Sequence, residues 1–291
     1  MGVLRRRPAE VIRSRVGQRR LTATVVYAIA LVGSVFFLLP IFWMIATALR
    51  PENALFSVPP EVFPHAPAWH NFVGGTTLIP FWRYLGNSLA YAGVGAVGTV
   101  ISSAIVAYPL ARLRAPGLNA VLVLVLATMM LPLQVLLVSQ FLIFKELGWY
   151  GSYLPLIVPS WLGGGPFNIF LLRQFFLTLP REYDQAALVD GAGFWRIFWR
   201  IVIPQSTPAL LAVGLLDFVS KWNDFLGPLI YLNRTESYPL SLGLSSFRDF
   251  YNTQWNYLMA DSLLAVLPCV LIFLVAQQLL VRGLVVGRLK G

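Results

Sequence analysis

Four stretches of this sequence contain no Asp, Glu, Lys or Arg: Leu21 to Leu49, Tyr84 to Ala111, Ala115 to Phe144 and Leu147 to Leu172. Each exceeds the roughly 20 residues that a helix needs to cross the hydrocarbon core of a bilayer. Two later segments are long enough but carry charges inside: Pro208 to Leu232, with Asp217, Lys221 and Asp224, and Leu258 to Val281, with Asp261. The expectation is an all-α membrane protein with six transmembrane helices, at about 21–49, 84–111, 117–140, 153–177, 208–232 and 258–281, following a basic segment at 1–20. Composition agrees, with 57% apolar and 12% charged residues against about 25% charged in soluble proteins.

The net charge of +10 raises nucleic acid as a partner. The basic residues flank spans, however, and form no patch interleaved with stacking aromatics, so no nucleic acid is expected. They serve the positive-inside rule better. With both termini in the cytoplasm, that side receives sixteen: Arg5, Arg6, Arg7, Arg13, Arg15, Arg19, Arg20, Arg112, Arg114, Arg173, Arg181, Arg196, Arg200, Arg282, Arg288 and Lys290. The other side receives five, Arg50, Arg83, Lys145, Arg234 and Arg248, while Lys221 lies within a span. The first uncharged run is too long for the apolar region of a signal peptide and reads as an uncleaved span.

Between the first two spans, PENALFSVPPEVFPHAPAWHNF is rich in proline and poor in charge and reads as an extended external strap. His65 and His70 lie there with no cysteine or acidic cluster near them, so no metal site is expected. The lone cysteine, Cys269, leaves no disulfide to form. The second span opens with Asn87-Ser88 and is rich in small residues, which suits a buried helix approached closely by its neighbours. In the fourth, Gly163, Gly164 and Gly165 precede Pro166. That run either breaks the helix at membrane depth, where broken helices line cavities, or marks a simple kink.

In the fifth span Asp217, Lys221 and Asp224 fall at i, i+4 and i+7, along one helix face. An isolated charge at the bilayer centre costs about 2.5–3.5 kcal/mol, so this face must meet protein or water. Two readings satisfy that requirement. One is the wall of a polar pathway, with Trp222 and Asn223 offering an aromatic platform and hydrogen bonds to a polyol. The other is a lock made of the pairs Asp217 with Lys221 and Lys221 with Asp224. Asp261, toward the outer end of the last span, reads as an interfacial cap.

A phosphate-binding loop needs Gly-Lys followed by Ser or Thr. The lysines here, Lys145, Lys221 and Lys290, follow Phe, Ser and Leu. No catalytic dyad is visible either, so the chain reads as a transport subunit and not an enzyme, binding no cofactor itself. Any ATP and Mg would sit on partner subunits.

The segment REYDQAALVDGAGFWRIFWRIVIP, within a cytoplasmic loop at 180–205, breaks the apolar pattern. Glu182 and Asp184 suit the positive end of a helix dipole, and Asp190-Gly191 turns the chain. A second helix then carries Trp195 and Trp199 at i, i+4, with Pro204 expected to stop it. On its own physics the segment is an interfacial amphipathic linker or something more specific. PREYDQAALVDGAGFWRIFWRIVIPQSTPAL resembles the signature cytoplasmic loop of binding-protein-dependent ABC importer permeases, a Glu-Ala-Ala followed after three residues by Gly. Ala186, Ala187 and Gly191 match that pattern, and Gln185 departs from its usual Glu. FVSKWNDFLGPLIYL resembles the Trp-Asn-acid segment of carbohydrate-importer permeases, and the Asn87-Ser88 start, AYPLARLRAPG, IFLLRQFFLTLP and the last span with its glycine-containing tail extend the likeness to nearly the whole chain.

The resemblance implies a type I ABC importer transmembrane domain over 21–291, in a bacterial or archaeal cytoplasmic membrane, closest to the maltose-type subunit without a large external domain. It also implies a second permease subunit as heterodimer partner, two ABC ATPase subunits, an extracytoplasmic sugar-binding protein and surrounding membrane lipid. The loop would dock on an ATPase through Glu182, Asp184, Gln185, Ala186, Ala187, Asp190 and Gly191. Exchanging Glu for Gln185 weakens one docking contact, since a charged hydrogen bond contributes about 1.5–3 kcal/mol and a neutral one about 0.5–1.5; Glu182 or Asp184 is the expected compensation. The pathway would draw on Asn87, Asp217, Lys221, Trp222, Asn223 and Asp224. The rival from another class is a proton-driven secondary transporter using Asp217, Lys221 and Asp224; a membrane scaffold with no pathway is a third reading.

Overall fold

A computed structural model describes residues 8–57, 63–248 and 253–288, with side chains described from residue 22 to 277. Regular structure there is helical, apart from one isolated bridge between Arg248 and Thr253. Four helical stretches are long and apolar enough to cross a membrane: Thr22–Ala48, Phe81–Arg112, Leu154–Thr178 and Trp255–Gln277. A fifth is formed if Phe194–Gln205 and Thr207–Trp222, which meet at 77°, count together.

Helix α1 (Pro8–Ala48) runs without interruption through Pro40. Helix α2 (His70–Leu78) takes up the last three residues of the expected extended strap, of which 58–62 lie outside the described residues, and α3 (Phe81–Arg112) is the hub of the molecule, packing against α2, α4, α6, α7, α11 and α13. The third expected span is two helices, α4 (Leu118–Thr128) and α5 (Leu133–Glu146). Pro132 lies between them with an extended backbone (φ −62°, ψ 134°). It has no N–H to donate and disfavours helix in the residue before it, so a continuous helix over 117–140 does not form.

The fourth span is also divided, into α6 (Leu154–Trp161) and α7 (Pro166–Thr178). Gly163, Gly164 and Gly165 all have positive φ, 120°, 68° and 88°. Three successive residues in that region are affordable only to glycine. A Cβ on Gly164 would stand 2.5 Å from the Thr99 carbonyl oxygen of α3, so the break is pressed directly against the hub helix.

After α8 (Glu182–Val189) and a turn, α9 (Phe194–Ile197), a π-helical turn (Phe198–Val202) and α10 (Ile203–Gln205) form one rod. Pro204 therefore does not stop this helix: it sits at the start of α10, and the chain bends only at Ser206, before α11 (Thr207–Trp222). Helix α12 (Leu226–Tyr231) and the short α13 (Leu240–Gly243) lead to α14 (Trp255–Arg288).

One apolar core joins the C-terminal half of α3 to α7, the α9–α10 rod and α11, through Tyr108, Leu172, Phe176, Phe198, Val202 and Val213. A second, around Phe81, Tyr84, Phe218, Trp222 and Leu240, closes the other end. There, Asn71 of α2 donates from Nδ2 to the carbonyls of Ala48 (2.8 Å) and Arg50 (2.9 Å) and accepts from Asn256 Nδ2 at 3.2 Å. One buried amide thus satisfies carbonyls at the end of α1 and ties them to α14.

Candidate functional site

Two places gather the residues singled out in the sequence. The first is α8 and its turn. Glu182, Gln185, Ala186 and Val189, at i, i+3, i+4 and i+7, form an exposed stripe, while Asp184 and Ala187 face inward. Ala187 packs against the first core. Asp184 Oδ2 stands 3.5 Å from Arg112 Nε in the last turn of α3. Asp184 is therefore engaged within the chain, which leaves Glu182 as the free acidic neighbour of Gln185. Helix α8 ends where Gly191, at φ 75°, donates its N–H to the Leu188 carbonyl (3.0 Å) and Ala192 donates to Ala187 (2.9 Å). This left-handed stop satisfies carbonyls of the last turn and needs glycine.

The aromatic helix that follows divides in the same way. Phe194 and Phe198 lie on Tyr108 of α3 with ring centroids 4.6 and 5.0 Å apart, while Trp195 and Trp199 remain exposed. The presented surface at this end of the molecule is thus the α8 stripe flanked by two indoles.

The second place is a stripe along α3: Tyr91, Gly95, Gly98 and Ser102, spaced by 4, 3 and 4. Tyr91 donates its hydroxyl to Asp224 Oδ2 at 2.7 Å. The Lys221 side chain crosses Gly95 so closely that a Cβ there would meet Cε at 2.4 Å. The Trp161 indole crosses Gly98 in the same manner, and Ser102 Oγ donates to the Ser160 carbonyl at 2.7 Å. The small residues allow a charged and an aromatic side chain to lie flat against a helix backbone.

Lys221 pairs with Asp217 at 2.6 Å, with the two side chains 13% and 12% exposed. Asp224 is not the third member of a helical face. Helix α11 ends at Trp222, and Asp224 turns away to accept Tyr91 and the Gly227 N–H (3.0 Å), opening α12. The expected Lys221–Asp224 pair is replaced by these contacts. Trp222 is buried and stacks on Phe218 at 5.5 Å, so it offers no free platform; Trp161, 43% exposed, does. Asn223 donates to its own helix at Val219 and is exposed.

Asn87 continues this stripe one turn before Tyr91, but its amide is taken up by backbone. Its Nδ2 donates to the carbonyls of Glu236 (2.9 Å) and Tyr238 (3.0 Å), and Ser88 Oγ beside it accepts the Leu240 N–H at 2.8 Å. The pair anchors the loop after α12. Asp261 is fully buried beneath α2, and its carboxylate oxygens have no hydrogen-bond partner among the described residues. A Cβ on Gly75 would meet its Oδ1 at 2.5 Å, so it packs between helices and is not an interfacial cap. Sequence reasoning missed Tyr91, Trp161 and Arg112; the 4, 3, 4 spacing of Tyr91, Gly95, Gly98 and Ser102 was the available signal for Tyr91, and nothing local marked the other two.

Comparison with known proteins places these features. Residues 99–286 match the family described as "Binding-protein-dependent transport system inner membrane component". The chain is 34% identical over 264 residues to the arabinooligosaccharides transport system permease protein AraQ of Bacillus subtilis, covering 89% of this chain and 92% of that one. It is 29% identical over 272 residues to the diacetylchitobiose uptake system permease protein DasC of Streptomyces coelicolor, covering 94% and 98%. Its fold is similar to a subunit of a bacterial ABC transporter involved in the import of the acidic polysaccharide alginate, with a TM-score of 0.78 at 21% identity, over 90% of this chain and 97% of that chain. The match takes in α8, the α9–α10 rod and the Lys221 region, and the protein belongs to the family of binding-protein-dependent transport system inner membrane components, as a multi-pass membrane protein.

Proposed function

We propose that this chain is the permease subunit of a sugar ABC importer, forming with a second permease the membrane pathway for a solute delivered by an extracytoplasmic binding protein. The observation that carries the reading is the family match, which contains the whole of α8 and its turn. AraQ, named for arabinooligosaccharide transport, and DasC, named for diacetylchitobiose uptake, support a sugar as the solute class. Family membership disfavours the proton-driven alternative. Six crossings with both termini cytoplasmic follow if α1, α3, α4–α5, α6–α7, α11–α12 and α14 each traverse the bilayer once.

In this reading α8 seats in a cleft of one of two ATPase subunits, which hold ATP and Mg. Ala186 and Gly191 keep the contact close, Glu182 and Gln185 supply its polar atoms, and Ala187 and Asp184 hold the helix from behind. Closure of the ATPases and arrival of the loaded binding protein favour different states of the membrane domain, which is what allows one to drive the other. The solute passes the α3 stripe, where Trp161 offers an aromatic face and Asp217, Lys221 and Asp224 offer hydrogen bonds.

The test is purification from native membranes in mild detergent, with co-purifying chains identified by mass spectrometry. A second permease and a subunit bearing a phosphate-binding loop are expected. Proline at position 191 can adopt neither the φ of 75° nor the donated hydrogen bond. Gly191→Pro should therefore cut recovery of the ATPase subunit by about tenfold or more. Recovery of this chain alone, under conditions that preserve known complexes, would refute the reading.

A further inference from the structure

The importer reading passes motion from α8 through the chain itself, into the helices on either side of it. The structure contains a second attachment that does not follow the chain. Arg112, in the last turn of α3, meets Asp184 on the inward face of α8 at 3.5 Å, with side chains only 4% and 17% exposed. Arg112 Nε and Nη2 and Asp184 Oδ1 have no hydrogen-bond partner among the described residues, so the charges answer chiefly to each other. Removing one member of such a pair strands the other in a poorly hydrated place.

The joint is braced on both sides. Tyr108, one turn back on α3, lies against Phe194 and Phe198. Arg173 Nε of α7 donates to the Leu110 carbonyl at 3.0 Å. From there α3 runs as one helix of 32 residues, about 48 Å at 1.5 Å per residue. Near its other end, Asn87 and Ser88 hold the backbone from Glu236 to Leu240. Two well-separated surfaces are thus fastened to opposite ends of a single half-buried rod.

We propose that Arg112 and Asp184 are positioning residues that clamp α8 to α3, and that α3 carries a displacement of α8 to the loop held by Asn87 and Ser88. The clamp rests on the importer reading, and it adds a route independent of the covalent one. A coupling of this kind needs an element with two arrangements that both ends bias, and the response to nucleotide tests α3 for that property.

The experiment uses the complex purified with its ATPase subunits and reconstituted in lipid nanodiscs. Hydrogen exchange is followed by mass spectrometry on the peptide covering residues 233–247, with and without ATP and orthovanadate. In the wild type, trapping should change exchange of this peptide by about fivefold or more. In Arg112→Gln, and in Asp184→Asn, which leaves α3 intact should the first variant fold poorly, the change should disappear in the complexes recovered with ATPase subunits bound. Arg112→Asp combined with Asp184→Arg should restore it, an outcome that a merely structural role for either residue would not give. A wild-type change that persists undiminished in both single variants overturns the clamp and leaves the importer intact. Failure of the exchanged pair to restore the response overturns the ion-pair assignment. A wild-type preparation without ATPase subunits, or without any response to nucleotide, removes the importer reading and the clamp with it.

Discussion

Helices α1 and α3 are both long and apolar, and they have opposite fates. The apolar window of α1 has a mean hydropathy of 2.5 and none of it is buried within the chain; that of α3 has 1.8 and half of it is buried. In water the more hydrophobic helix would be the one inside. In lipid the tails are as apolar as leucine, so hydrophobicity draws a helix into the bilayer and then stops discriminating. Burial is decided instead by how closely a neighbour can approach. Helix α3 offers Gly95, Gly98, Ser102 and Ser103, and it receives Lys221, Trp161 and the α6–α7 break against its backbone. Helix α1 offers Val, Leu and Phe side chains to its surroundings.

This contrast breaks if small residues on α3 and its partners prove dispensable. The largest effect should come from Gly164→Val, where a left-handed backbone and the Thr99 carbonyl at 2.5 Å both forbid a side chain. The cost is about 3 kcal/mol or more, from strain and overpacking together. Thermal unfolding in detergent should show a large drop in midpoint, or no folded protein recovered. Next is Lys221→Met, which leaves Asp217 uncompensated in a partly buried site. The expected loss is about 2–3 kcal/mol, below the full penalty for a sealed interior. Adding Asp217→Asn should recover most of that stability. If these side chains also line the pathway, uptake should stay low in the double variant while subunit recovery is normal. The smallest effect sharpens the comparison from the other side: nothing lies within 4 Å of a Cβ built on Gly33 of α1. Gly33→Leu should leave the stability read from the unfolding midpoint within about 0.5 kcal/mol of the wild type. A large destabilisation there would mean that α1 is covered in the assembled complex.

The charge-free runs made the helical membrane class legible, and small residues marked the second span as buried, because both depend on composition along one helix. The breaks were legible only where glycines cluster, at Gly163 to Gly165. At Pro132 the signal is a single residue within an apolar run, and the reading of one span over 117–140 passed over it. Asp224 was misplaced because i, i+4, i+7 counting assumes that the helix continues, whereas it ends at Trp222 and the carboxylate caps the next one. Asn87 and Arg112 illustrate a different limit. Their partners, Tyr238 and Asp184, are remote in sequence, and nothing local to either residue names them. The exposed stripe on α8 was half legible: the motif identified the residues, but only the structure turned Asp184 and Ala187 inward.

The amide of Asn71 has a consequence in time. Its acceptor oxygen waits for Asn256, 185 residues later in the chain. At about 5–20 residues per second of synthesis, the end of α1 stands without its last neighbour for roughly 10 to 40 s. Through that interval the first helix lacks the contacts that α14 supplies. The apolar window of α1, none of it buried within the chain, suits it to that interval, with lipid as the solvent along that stretch until the last helix docks.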